Sequence, residues 1–133
     1  MARTPANSFE FVDDITGFRA PNAYVARLGG RLRRKQDLLC ALARELRFPS
    51  YFGENWDSLE ECLCDLSWLG EQAAIVLAHK SVPLANDRQR RIYLDILKRV
   101  QADQRMPFRV VFPRAAQAEF NRIANNSASA NGR

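Results

Sequence analysis

Six carboxylates and no basic residue stand between Phe48 and His79: Glu54, Asp57, Glu60, Glu61, Asp65 and Glu71. On a helical wheel of about 100° per residue, Asp57, Glu61 and Asp65 repeat every four positions and form one stripe. Glu60 and Cys64 flank that stripe. Trp56, Leu59, Leu63 and Leu66 fall on the other side, with Cys62 and Leu69 at its edge. Carboxylates in this pattern could do two kinds of chemistry. A close pair could divide acid and base roles, but only where the surroundings push the two pKa values apart, and a solvent-facing stripe offers no means of doing so. An unpaired stripe could instead steer and hold a cationic partner. The helix dipole accounts for Glu54 and Asp57 near the helix start, but not for Glu61 and Asp65 further along. A partner carrying positive charge would relieve their mutual repulsion. The alternative is a helix with an ordinary solvated acidic face.

Other candidate chemistry is sparse. Cys62, Cys64, Cys40 and His79 are scattered over several segments and do not give the spacing of a structural zinc site, so no metal and no cofactor are expected. Cys62 reads as a small core residue and Cys64 as an exposed thiol open to oxidation. The odd number of cysteines favours a reducing compartment, here the cytoplasm. One histidine, no Gly-x-Ser-x-Gly and no phosphate loop argue against an enzyme. No run is long and apolar enough for a membrane helix, and the first residues lack the pattern of a secretory signal.

The whole chain carries +5, while residues 48–79 carry −6; the 20 basic and 9 acidic residues outside that segment give +11. Arg31, Arg33, Arg34 and Lys35 cluster, as do Arg88, Arg90 and Arg91, followed by Lys98, Arg99 and Arg105. A nucleic-acid binder is therefore the rival reading. Against it, these cations are not interleaved with aromatic residues as in a base-stacking platform.

The elements that must position the acidic stripe follow from hydrophobic period and punctuation. With 133 residues, one domain is expected. Residues 23–28 read as a strand closed by Gly29-Gly30, and 33–47 as a helix with Leu38, Leu39, Leu42 and Leu46 in phase. Asn55 is a good cap for a second helix over 56–68. Residues 73–78 read as a buried strand, 87–103 as a third helix capped by Asp87, 108–112 as the last strand, and 115–124 as a short terminal helix. Phe9 and Phe11, alternating with Glu10, suggest a short strand or ordered arm. Strands alternating with helices imply an α/β fold with a three-stranded parallel sheet packed by helices. The chain divides into an extension over 1–21, a domain over 22–113 and a tail over 114–133, its last residues small, polar and expected to be disordered.

The segment Leu46-Arg47-Phe48-Pro49-Ser50-Tyr51-Phe52-Gly53-Glu54-Asn55-Trp56-Asp57-Ser58-Leu59-Glu60-Glu61-Cys62-Leu63 resembles the signature of the barstar family, intracellular inhibitors of secreted microbial ribonucleases. The resemblance covers roughly residues 23–112. It implies a barstar-like fold and a monomer that plugs a basic ribonuclease, or another toxin, with the loop and the second helix. Carried over by the motif, Tyr51, Asp57 and Glu61 are the central contacts, one acid occupying a phosphate site. Gly53 and Asn55 lie in the contacting loop, and Glu60, Asp65 and Glu54 add steering. The chain departs from the family's namesake in several places: Glu61 stands where aspartate is usual, Glu60 where the namesake has an aromatic contact, and the overall charge is opposite. Phe52 is expected to pack. Trp68 could anchor the partner or pack at the helix end.

Overall fold

The computed structural model describes residues 9–103 and 107–122. Its strands are β1 (Glu10–Val12), β2 (Ala23–Leu28), β3 (Ala74–His79) and β4 (Phe108–Pro113). Its helices are α1 (Lys35–Glu45), α2 (Trp56–Asp65) and α3 (Asp87–Asp103), with a 3-10 turn at Ser67–Leu69 and a further helix over 116–122. The strands are all parallel, in the order β1-β4-β3-β2. No helix among the described residues is long and apolar enough to cross a membrane.

The crossovers β2→β3 and β3→β4 each step to the next strand in the same direction. Right-handed connections therefore put α1, α2 and α3 on one face of the sheet. Leu38, Leu42, Leu59, Leu63, Leu97 and Val100 are fully buried there against Ala26, Ile75, Leu77 and Val110. The strands alternate, so Val76, Ala78 and Val111 point to the second face, yet they too are buried. The chain from β1 to β2 must travel from one edge of the sheet to the other, and it does so across this second face. There Arg27 donates to the carbonyls of Ile15 (3.2 Å) and Phe18, and the Arg109 guanidinium lies 5.5 Å from the Phe18 ring.

The sheet has four strands, not the three expected. The extra strand is the short strand suggested by the alternation of Phe9, Glu10 and Phe11; what was not expected is that these residues of the extension join the sheet, beside β4. Tertiary contacts hold it. Glu10 accepts two hydrogen bonds from Arg109 on β4, at 2.8 and 2.7 Å. Phe9 and Phe11 pack on Phe112 at 5.7 and 6.3 Å and on Phe120 at 5.7 and 5.3 Å.

Helix boundaries also move. The first helix spans 35–45 rather than 33–47. It closes with a Schellman turn: Arg47 adopts a left-handed φ of 55°, and the Phe48 N–H donates to the Ala43 carbonyl at 2.9 Å. The cap of α3 is Asn86, whose Oδ1 accepts from Gln89 N–H at 2.9 Å; Asp87, expected to cap, instead takes two hydrogen bonds from Arg122. The expected terminal helix over 115–124 is described over 116–122, and the stretch 125–133 expected to be disordered lies outside the described residues.

The single histidine is sealed in the core. His79 stacks on Phe112 at 4.1 Å, meets the Tyr93 hydroxyl at 2.8 Å and the Val111 carbonyl at 3.2 Å. Burial pushes its pKa down to about 3, against the opposing pull of the backbone hydrogen bond to Val111. The unfolded chain thus binds the proton first. Stability is full above an unfolded pKa of about 6.5 and falls as pH drops toward 3, by up to about 1.4 kcal/mol per pH unit. His79→Gln should flatten the dependence of urea-unfolding free energy on pH between about pH 6 and pH 4, relative to the parent; equal slopes would place the proton uptake elsewhere. Phe11→Ala should cost roughly 1–3 kcal/mol in the same assay, less than a fully buried Phe because Phe11 is half-buried. A negligible cost would mean that β1 adds nothing to the sheet's stability.

Candidate functional site

The acidic helix is held by two of its faces. Leu59, Cys62 and Leu63 are buried toward the sheet. Glu60 and Cys64 face α3. The Arg99 guanidinium donates to both Glu60 oxygens at 3.0 Å and holds that carboxyl below the usual range. Cys64 is half-buried, and burial, then Asp103, pushes its thiol up to about 11. Cys64 is therefore not the exposed thiol expected, and its raised pKa lowers the share of the reactive thiolate. Cys62 is buried as expected, its thiol likewise raised by burial. Among the described residues no group of His, Cys, Asp and Glu is arranged to hold a metal.

The third face is free. Asp57, Glu61 and Asp65 are exposed along one stripe. Neither Asp57 nor Glu61 is held in an ion pair among the described residues, and Asp65 accepts only the local Ser67 N–H, at 3.2 Å. The helix stops at Leu66, whose left-handed φ of 49° turns the chain into the 3-10 turn, so the regular helix is shorter than the 56–68 expected.

The loop before α2 is tied to it by a closed ring of hydrogen bonds. Asn55 Oδ1 accepts the Ser58 N–H at 2.8 Å, Asn55 Nδ2 donates to the Gly53 carbonyl at 3.2 Å, and the Gly53 N–H donates to Ser58 Oγ at 2.7 Å. Asn55 is thus the N-cap the sequence indicated, and it also fixes the loop. A Cβ at Gly53 would sit 3.1 Å from Asn55 Nδ2, so a side chain there would press on the ring and displace the Asn55 amide by a few tenths of an ångström. Glu54 takes a left-handed φ of 55°, which throws the chain into the helix.

The aromatic residues of the loop divide by role. Phe52 packs edge-on against Phe48 at 4.8 Å, and Phe48 meets Trp68 at 6.1 Å. Trp68 donates from Nε1 to the Leu46 carbonyl at 2.8 Å. Of the two roles open to Trp68, the structure therefore shows packing. Tyr51 stands apart: its side chain is 67% exposed, the one exposed large hydrophobic residue among the described residues. Its phenol is raised by desolvation and then by the negative charge of Asp65 and Glu61, which places Tyr51 beside the lower part of the stripe. The upper part borders a shallow depression lined by Gly53, Asn55, Asp57, Ser58, Glu61 and Lys35. Lys35 was not among the candidate residues. It comes from α1 and lies over the Trp56 ring at 5.1 Å, a juxtaposition that local spacing does not encode.

The residues singled out from sequence are thus brought together by the fold. Tyr51, Gly53, Asn55, Asp57, Glu61 and Asp65 share one surface, while Glu60 is turned toward α3 and spoken for by Arg99. What the surface offers chemically is a set of fixed, solvent-facing acceptors and an exposed phenol, an arrangement suited to holding a cationic partner.

Among curated proteins, none matches this chain. The family model described as Barstar (barnase inhibitor) matches residues 24–113, which include β2 from its second residue, β3, β4, the three long helices and the whole of this surface. The chain belongs to the barstar family.

Proposed function

We propose that this protein binds a basic ribonuclease, or a related toxin, and blocks its active site with α2 and the loop before it. The observation that carries the reading is the stripe of Asp57, Glu61 and Asp65: exposed, held in no ion pair among the described residues, and set on a helix whose other faces are locked. A ribonuclease site gathers cations to hold phosphate, and carboxylates on a rigid support can take the place of that phosphate. In this reading Asp57 and Glu61 enter phosphate subsites, Tyr51 and Gly53 shape the loop contact, and Asn55 holds the loop. Asp65 and Glu54 steer the encounter; Glu60, its charge matched by Arg99, steers less. The protein acts as a monomer, in the cytoplasm, and not as an enzyme.

Nucleic-acid binding has less support. Arg90, Arg99, Arg109, Arg114 and Arg122 are each engaged by an acid of the same chain, which ties up part of the second basic cluster and of the cations that follow it.

The test is inhibition of a panel of basic microbial ribonucleases at low and physiological salt. Stoichiometric inhibition of one member is expected, with association slowing as salt rises. Glu61→Ala should then weaken binding by about 2–5 kcal/mol, the range for truncating one member of a buried interfacial charge pair, to which the family's own namesake contributed. It should leave thermal stability within about 0.5 kcal/mol, because the site is exposed. Glu60→Gln should weaken binding far less than Glu61→Ala. Full inhibition by Glu61→Ala would remove the stripe from the interface.

A further inference from the structure

Among the described residues, one basic side chain lines the depression bordered by Asp57 and Glu61, and it comes from a different helix. Lys35 opens α1, and its ammonium lies over the Trp56 ring at 5.1 Å. The same turn of α1 is tied to the loop, because Gln36 Nε2 donates to the Glu54 carboxylate. The start of α1 thus forms one wall of the acidic surface.

No acid of the fold answers the charge of Lys35 directly. Its neighbour on α1, Asp37, is paired with Arg34 at 3.4 Å, and the positions one turn on, Leu38 and Leu39, are apolar. Asp57 and Glu61 border the same depression, yet Lys35 forms an ion pair with neither among the described residues. The face of the half-buried Trp56 ring attracts the ammonium instead, in competition with the two carboxylates. The depression therefore presents two acceptors and one donor, both signs of charge side by side. A partner seated on Gly53, Asn55, Asp57 and Glu61 must also cover Lys35, since all of them line one depression. Cations brought to Asp57 and Glu61 would take up those carboxylates and repel the ammonium. Like charges facing one another across an interface oppose docking, and a covered ammonium without an acceptor is destabilising. Both penalties vanish where the partner sets a carboxylate opposite Lys35.

We infer, on the strength of the inhibitory role proposed above, that Lys35 is a specificity-determining contact. It meets an acidic side chain of the partner, and so selects ribonucleases whose cationic site includes an aspartate or glutamate facing the start of α2. Sites made of cations alone are disfavoured by the same ammonium. The panel of basic microbial ribonucleases is titrated with the parent chain, Lys35→Met and Lys35→Arg. Lys35→Met keeps an apolar stem over Trp56 and removes the charge. It should weaken binding to the most tightly inhibited member about tenfold or more, while Lys35→Arg stays within about threefold of the parent. Each Asp and Glu in that ribonuclease's site is then changed in turn to its amide, with binding followed by calorimetry rather than by activity. One of these changes should weaken the parent chain and leave Lys35→Met with no further loss. Equal or tighter binding by Lys35→Met, an equal loss with Lys35→Arg, or a loss that adds to that of every amide change would overturn the inference and leave the inhibitory role standing. Failure of the parent chain to inhibit any member would remove both.

Discussion

Everything on the acidic surface depends on burying the inner face of α2. Three outward carboxylates spaced by four residues repel one another, at a few tenths of a kcal/mol per pair in an isolated helix. A ten-residue helix with that handicap would not persist alone in water. Leu59 and Leu63, followed by Leu66 at the helix end, are each fully buried, and each such side chain contributes roughly 1.5–3 kcal/mol relative to exposure. That is several times the repulsion, so the helix can present its charges without holding any of them in an ion pair. The Asn55 cap and the Asp57 carboxylate at the helix start add in the same direction.

The charge separation seen in the sequence has a structural counterpart on both sides. Acids outside the stripe are largely spent inside the fold: Glu10 on Arg109, Glu60 on Arg99, Asp87 and Glu119 on Arg122. These pairs join elements distant in sequence, although at their exposure each adds little to stability. Their larger effect is to draw acids of the remainder into the fold, so that a basic protein presents its unmatched negative charge concentrated on one surface.

Much of the site was legible in the sequence because its determinants are local. Asn55, Gly53 and the four-residue repeat of acids act within a few positions of one another, and the helix spacing that places Asp57, Glu61 and Asp65 together is a property of α2 alone. The order of helices and strands was legible for the same reason, from apolar period and punctuation. What escaped was non-local. The alternation of Phe9, Glu10 and Phe11 suggested a short strand but not its place, and β1 joins the sheet because Glu10 finds Arg109 and its neighbouring phenylalanines find Phe112 and Phe120. The pairing of Glu60 with Arg99, the approach of Lys35 to Trp56 and the burial of Cys64 against α3 are likewise contacts between separate elements. Asn86 and Asp87 compete as caps one residue apart, and the choice is settled by Arg122, far along the chain.

The pairing of β1 with β4 sets an order of events during synthesis. Glu10 and Arg109 are 99 residues apart, and every strand pair in the sheet is parallel, so no hairpin can form early and wait for the rest. β2 finds its neighbour only after both α1 and α2 have been made, and the first strand stays without a partner until β4 leaves the ribosome. The acidic helix therefore gains its full support late, when nearly the whole chain is present. A truncated nascent chain would display the carboxylates of α2 without the rigid platform that gives them their arrangement.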